Sequence, residues 1–162
     1  MIDIQRLRHY VKTMSRPRKS LALSPVLAAL LALALFSSGV WAGALADANP
    51  GKPGQSLDLG SLLVKGKTTL IDFYSPFCPP CVRLAPLMAQ LAAKRPDLAI
   101  KKVNINRPGV NGIDWGSPLA QQYQVRRVPF FMIFNPQGQL VAQGRDAIET
   151  VGGWLQKAGL MQ

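Results

Sequence analysis

One stretch limits what this chain can become. Thr69-Leu70-Ile71-Asp72-Phe73-Tyr74 is an apolar β-type run that leads into Ser75-Pro76-Phe77-Cys78-Pro79-Pro80-Cys81. Leu84, Leu87, Met88 and Leu91 then follow at helical spacing. The two cysteines are the only ones in the sequence. A strand that delivers Cys-x-x-Cys to a helix start puts Cys78 at the N-cap, where unpaired backbone amides and the helix dipole favour an anion. The arrangement predicts a lowered thiol pKa and an available thiolate at Cys78. Cys81, one turn further on, is set to attack a mixed disulfide and resolve it.

Other chemistry has to be weighed against this. A structural zinc site takes about four protein ligands. There is no third cysteine, and the single histidine, His9, precedes a long apolar segment, so carboxylates alone remain to complete such a site. A structural disulfide closing so short a loop constrains little of the unfolded chain. Redox chemistry fits the strand–helix context best.

Further residues accompany the pair in a fixed order. Asp72 stands six residues before Cys78, and Pro86 five residues after Cys81. Lys102 lies in Lys102-Val103-Asn104-Ile105-Asn106, followed by Val128-Pro129 and Gly144. From about Leu57 to the C-terminus this set resembles the thioredoxin family. The resemblance implies an α/β fold with a central mixed sheet flanked by helices. It implies that Asp72 is a buried acid tuned by Lys102, that Pro86 kinks the active-site helix, and that Pro129 follows a cis peptide facing the cysteines. The backbone at Val128 would then pair with substrate as an added strand, with Phe77 and Tyr74 as apolar contacts beside Cys78. The implied activity is thiol–disulfide exchange on protein substrates, with no bound cofactor.

The residues support parts of this by themselves. A carboxylate inside an apolar strand is costly unless hydrogen-bonded or protonated, and desolvation raises its pKa. Asp72 therefore suits a proton acceptor for Cys81; the alternative is a surface Asp at a strand end. Pro79 and Pro80 fit the first helical turn, where missing amides matter least to the helix. They matter to Cys78, because neither donates to its sulfur. A less stabilised thiolate means a more reducing couple.

Charge is uneven. The whole chain carries +11, and residues 1–20 hold +5 of it through Arg6, Arg8, Lys12, Arg16, Arg18 and Lys19 against Asp3. Residues 47–162 carry 13 basic and 7 acidic side chains, with no basic run interleaved with aromatics, so nucleic acid is not indicated. Residues 21–46 hold no charge and end in Ala44-Leu45-Ala46. A basic segment before an apolar one places the N-terminus in the cytoplasm and sends the rest across the membrane. The A-x-A signal favours cleavage at Ala46; uncleaved, the segment is long enough to span a bilayer and anchor the domain. Either outcome puts the cysteines where disulfides persist, in a bacterial periplasm. Electrons would then come from a membrane-bound thiol reductant.

Residues 47–55, rich in Pro and Gly, read as a linker, and 56–162 as the folded domain. Within it the sequence predicts a short helix in 56–65, strands at 69–74, 98–105, 130–134 and 140–143, the last two joined by an Asn135-Pro136-Gln137-Gly138 turn, a loop at 107–118 that Asp114-Trp115-Gly116 pins by aromatic anchoring or offers as a partner-recognition surface, a short helix over 119–123 capped by Ser117-Pro118, and a final helix over 148–158. Three functions stay open at this level: a reductase, with cytochrome c maturation or disulfide repair as narrower versions, a disulfide-introducing oxidase, and a redox-inactive binding module or chaperone.

Overall fold

The computed structural model describes Leu45 and residues 47–162. The basic segment 1–20 and, Leu45 apart, the signal or anchor segment 21–46 lie outside the described residues. Among the described residues no helix is long and apolar enough to cross a membrane.

The central element is β1 (Thr68–Tyr74), whose five inner residues are all buried. Helix α1 (Pro79–Lys94) carries the chain to β2 (Leu98–Asn104), which pairs parallel to β1. A parallel pair needs a crossover of this kind, since a tight hairpin cannot reverse the chain twice. The short α2 (Pro118–Gln122) precedes β3 (Phe130–Phe134) and β4 (Leu140–Gln143), both antiparallel additions. Helix α3 (Arg145–Lys157) ends the fold, and the mixed sheet runs β2-β1-β3-β4.

Alternation along β1 sorts the core into two layers. Leu70 joins Met88 and Leu91 of α1 and Val151 and Leu155 of α3 on one face. Ile71 and Phe73 join Val103, Ile105 and Leu119 on the other. Asp72, two residues on from Leu70, belongs to the α1 face by the same period.

Most predicted elements stand within a few residues of their expected ends, and the differences have local causes. The helix expected in 56–65 is a single 3-10 turn, Leu59–Leu62, capped by Asp58, whose carboxylate accepts from the Gly60 amide at 2.9 Å. Helix α3 starts three residues earlier than the apolar pattern suggests. Gly144 stands before it with φ +61°, and a Cβ there would meet the Phe130 ring at 3.6 Å. A left-handed turn of this kind suits glycine and lets the helix begin at once. Helix α1 continues unbroken through Pro86.

The 47–55 stretch differs most from its reading as a linker. It is a strap laid along β2. The Ala48 amide donates to the Lys102 carbonyl at 2.6 Å, and Asp47 forms a parallel bridge with Lys102. The Asn49 side chain clips Asn104, donating to its carbonyl at 2.9 Å and accepting from its amide at 3.0 Å. Gly54 turns with φ +72° so close to the Arg107 amide that a Cβ would lie 2.6 Å from it. Proline and glycine here shape a tight path rather than a loose one, and the strap covers a sheet edge that would otherwise be open.

The loop after β2 is pinned, but through a carboxylate and not through the expected aromatic ring. Asp114, 4 % exposed, accepts from Arg107 Nε at 2.7 Å and Nη2 at 3.0 Å. Hydrogen bonding from the Arg107 guanidinium holds the Asp114 carboxyl below the usual carboxylate range. Trp115 itself is 41 % exposed, so the carboxylate rather than the indole does the anchoring.

Candidate active site

The site begins with a turn. Ser75, fully buried, accepts the Phe77 amide on its side-chain oxygen and the Cys78 amide on its carbonyl, both at 3.1 Å. This serine turn swings the chain from the end of β1 to the start of α1. The sequence offered the residue type, and only the contacts revealed the role.

Cys78 is the N-cap of α1, with extended backbone angles of φ −101° and ψ 103°. Its Sγ accepts the Cys81 amide at 3.2 Å, and its carbonyl accepts the Val82 amide at 3.1 Å. Capping side chains usually take the second or third helical amide. Proline at both of the first two positions leaves only the third, that of Cys81. The two cysteines are joined as a disulfide, with their Cα atoms 5.3 Å apart. Cys78 is 2 % exposed and Cys81 6 %. The rim around them is open: Phe77 is 46 % exposed, and Pro79 and Pro80 are exposed beside it.

The Val128–Pro129 peptide bond is cis. The Val128 carbonyl oxygen lies 3.5 Å from Cys78 Sγ, where a reduced thiol can donate to it. Fifty residues of sequence separate these two groups, and the β1–β3 pairing brings them together.

Asp72 lies in β1 opposite Lys102 of β2 and Phe131 of β3. It is 4 % exposed, and its Oδ1 has no hydrogen-bond partner. Burial pushes the Asp72 carboxyl up to about 7, against the pull of Lys102 and with a smaller push from Asp47. A group poised there can both accept and release a proton at neutral pH.

Tyr74 does not sit as an open apolar contact. Its hydroxyl donates to Asp47 Oδ2 at 2.6 Å, and the Lys102 ammonium lies 4.3 Å from its ring centroid. Burial, then the bond to Asp47, push the Tyr74 phenol well above its ordinary range. Lys102 Nζ is 3.5 Å from Asp47 Oδ1. Asp47 is thus a site neighbour that sequence reasoning placed in a linker. Among the described residues no three His, Cys, Asp or Glu side chains converge as metal ligands.

A Cys-x-x-Cys disulfide at the mouth of a helix, on a mixed sheet with helices packed against it, defines a thiol–disulfide oxidoreductase. The family profile described as thioredoxin matches residues 59–157. The chain belongs to the thioredoxin family. A thioredoxin-like protein of Fusarium culmorum is 36% identical over 115 residues, covering 62% of this chain and 88% of that one. Protein disulfide-isomerase of Oryctolagus cuniculus is 31% identical over 137 residues, covering 80% of this chain and 25% of its own length. Oxidised mitochondrial thioredoxin 3 of Saccharomyces cerevisiae superimposes with a TM-score of 0.43 at 24% identity, over 60% of this chain and 86% of that one.

The capping geometry makes one prediction. Replacing Pro80 with Ala restores the amide at the second helical position, the other donor a capping sulfur can use. One more hydrogen bond to a thiolate stabilises the reduced form by about 1.5 kcal/mol, which raises the potential by about 30 mV. Equilibration of Pro80→Ala and wild type in glutathione redox buffers measures the difference. An unchanged or lower potential would contradict the donor account.

Proposed function

We propose that this protein reduces protein disulfides outside the cytoplasm. The observation that carries the reading is the Cys78 sulfur held by a single amide, that of Cys81, with prolines at both intervening positions. A sparsely stabilised thiolate readily gives up its electrons to a client. The reduced Cys78 attacks one sulfur of a client disulfide, forming a mixed disulfide and releasing the other client sulfur as a thiolate. Cys81 then loses its proton to the Asp72 carboxylate and attacks Cys78 Sγ. The second client thiolate leaves, and the pair is oxidised by two electrons. Lys102 tunes Asp72 in this scheme, and the reverse proton path serves re-reduction.

The exposed rim of Phe77, Pro79 and Pro80 suits a client segment that docks across it beside the Val128 carbonyl. Phe77 borders a cleft of about 270 Å³ that Pro53, Asn106 and Arg107 also line, a place for an apolar client side chain. The basic and apolar N-terminal segments support a periplasmic location, with the domain either released after Ala46 or tethered to the inner membrane by 21–46. There a membrane-bound thiol reductant would resupply electrons, for general disulfide repair or for cytochrome c maturation.

The direction of electron flow is tested by potential and by state. The expected potential lies well below the roughly −120 mV of a strong oxidant, and acid-quenched alkylation in cells should find Cys78 and Cys81 reduced. A potential near that of a strong oxidant, with the pair oxidised in cells, would replace this reading with that of an oxidase.

A further inference from the structure

One half-buried ionic cluster beside the site has a further part. Asp47, Tyr74 and Lys102 come from the strap, β1 and β2, and they close on one another beside Asp72. Tyr74 Oη fixes one carboxylate oxygen of Asp47 at 2.6 Å, and Lys102 Nζ approaches the other at 3.5 Å. The same ammonium lies 4.3 Å from the Tyr74 ring centroid. Lys102 and Asp72 are register partners on adjacent parallel strands, so their side chains share a face. Nevertheless, among the described residues Lys102 pairs with Asp47 and not with Asp72, whose Oδ1 is left without a partner.

We infer that Asp47 is a positioning residue for the redox step: it holds the Lys102 ammonium against Tyr74 and off the buried carboxyl, so that Asp72 remains able to carry a proton. The inference rests on the reading of Asp72 as the proton carrier for Cys81. The charged or titratable groups coupled to Asp72 are Lys102 on β2, Asp47 in the strap and Tyr74 on β1; Lys101 falls on the other face of β2 by the strand period, and the β3 neighbour, Phe131, carries no charge. Lys102 and Asp47 act on Asp72 in opposite senses, the cation lowering and the anion raising its pKa. Removing the Asp47 charge therefore acts twice in one direction. It deletes an anion, and it frees a cation to turn toward the carboxyl. The strap's other ties, the Asn49 clip and the Ala48 amide bond, do not involve the Asp47 side chain.

The test is a carboxyl-carbon NMR titration of Asp72 in the oxidised full-length chain, together with the pH profile of single-turnover resolution of a mixed disulfide. In Asp47→Asn the Asp72 midpoint should fall by about one pH unit, the scale of an opposite charge brought close. The inflection of the rate should move with it. Asp47→Glu keeps the charge and should recover most of the shift, and Tyr74→Phe should show part of it. An unmoved midpoint in Asp47→Asn, or an equal shift in Asp47→Glu, would overturn the positioning role and leave Asp72 as proton carrier. A midpoint that moves while the wild-type rate has no inflection removable by Asp72→Asn would overturn the proton-carrier reading, and the positioning role of Asp47 with it.

Discussion

Asp72→Asn is expected to make the protein more stable at pH 8 than wild type while slowing its chemistry. Both effects come from the same buried carboxyl. Its pKa rises from an ordinary 3.8 to about 7 in the folded protein, chiefly through burial. Below about pH 4 both folded and unfolded chains hold the proton, and the carboxyl carries no ionisation penalty. Between about 4 and 7 the unfolded chain releases its proton while the folded chain keeps it, so folding stability falls as pH rises. Above about 7 the loss is complete, and a shift of this size corresponds to roughly 4 kcal/mol. The amide variant has no such slope. Any fixed cost of its buried amide offsets the curve by a constant, so denaturant unfolding at several pH values isolates the slope. Parallel curves for wild type and variant between pH 4 and 8 would show that Asp72 is ionised throughout. On the kinetic side, loss of a positioned proton acceptor should slow resolution by about 10²-fold or more near neutral pH. The variant's rate should climb with pH as hydroxide takes over the deprotonation of Cys81.

The second large effect concerns the sulfur at the helix mouth. Cys78→Ser is expected to reduce insulin-disulfide reduction by about 10³-fold or more, the scale of losing a covalent nucleophile. Cys81→Ser should also stop turnover, at a different step. With the attacking sulfur intact and the resolving one gone, clients should accumulate as mixed disulfides on Cys78, visible on non-reducing gels and released by dithiothreitol. The pair separates the two roles, since only the Cys78 variant fails to trap. Equal insulin reduction by Cys78→Ser and wild type would favour a groove-binding or chaperone function. Trapping by Cys78→Ser instead of Cys81→Ser would exchange the assigned roles. The N-cap position of Cys78 and its 3.2 Å bond from the Cys81 amide argue for the order given.

Elements whose signals are local were legible before any coordinates. The run from Thr69 to Phe73 is buried because β1 is the central strand, and near-continuous hydrophobicity marks such a strand. Ser117-Pro118 announces α2 by its cap, and the Ser117 hydroxyl does accept the Ala120 amide at 3.1 Å. Phe130–Phe134 and Leu140–Gln143 stand between the expected ends because the Asn135-Pro136-Gln137-Gly138 turn fixes both. The 3-10 turn at Leu59–Leu62 was harder, since a few apolar residues near a glycine fit a short helix equally well.

The sequence alone determined the chemistry on offer: two cysteines, a helix start between strand and apolar face, prolines that withhold their amides, and an acid inside a strand. These are properties of neighbours along the chain, and the backbone imposes them wherever the segment folds. The tertiary structure alone decided which distant groups face that chemistry. The Val128 carbonyl reaches Cys78 across fifty residues, and Asp47 reaches Tyr74 across 27. No periodicity marks Asp47, because its place depends on Asn49 clipping β2 and on the Gly54 turn. A carboxylate in a Pro- and Gly-rich stretch is a linker residue or a site residue according to what the strap packs against, and that is set by contacts the linear order does not contain.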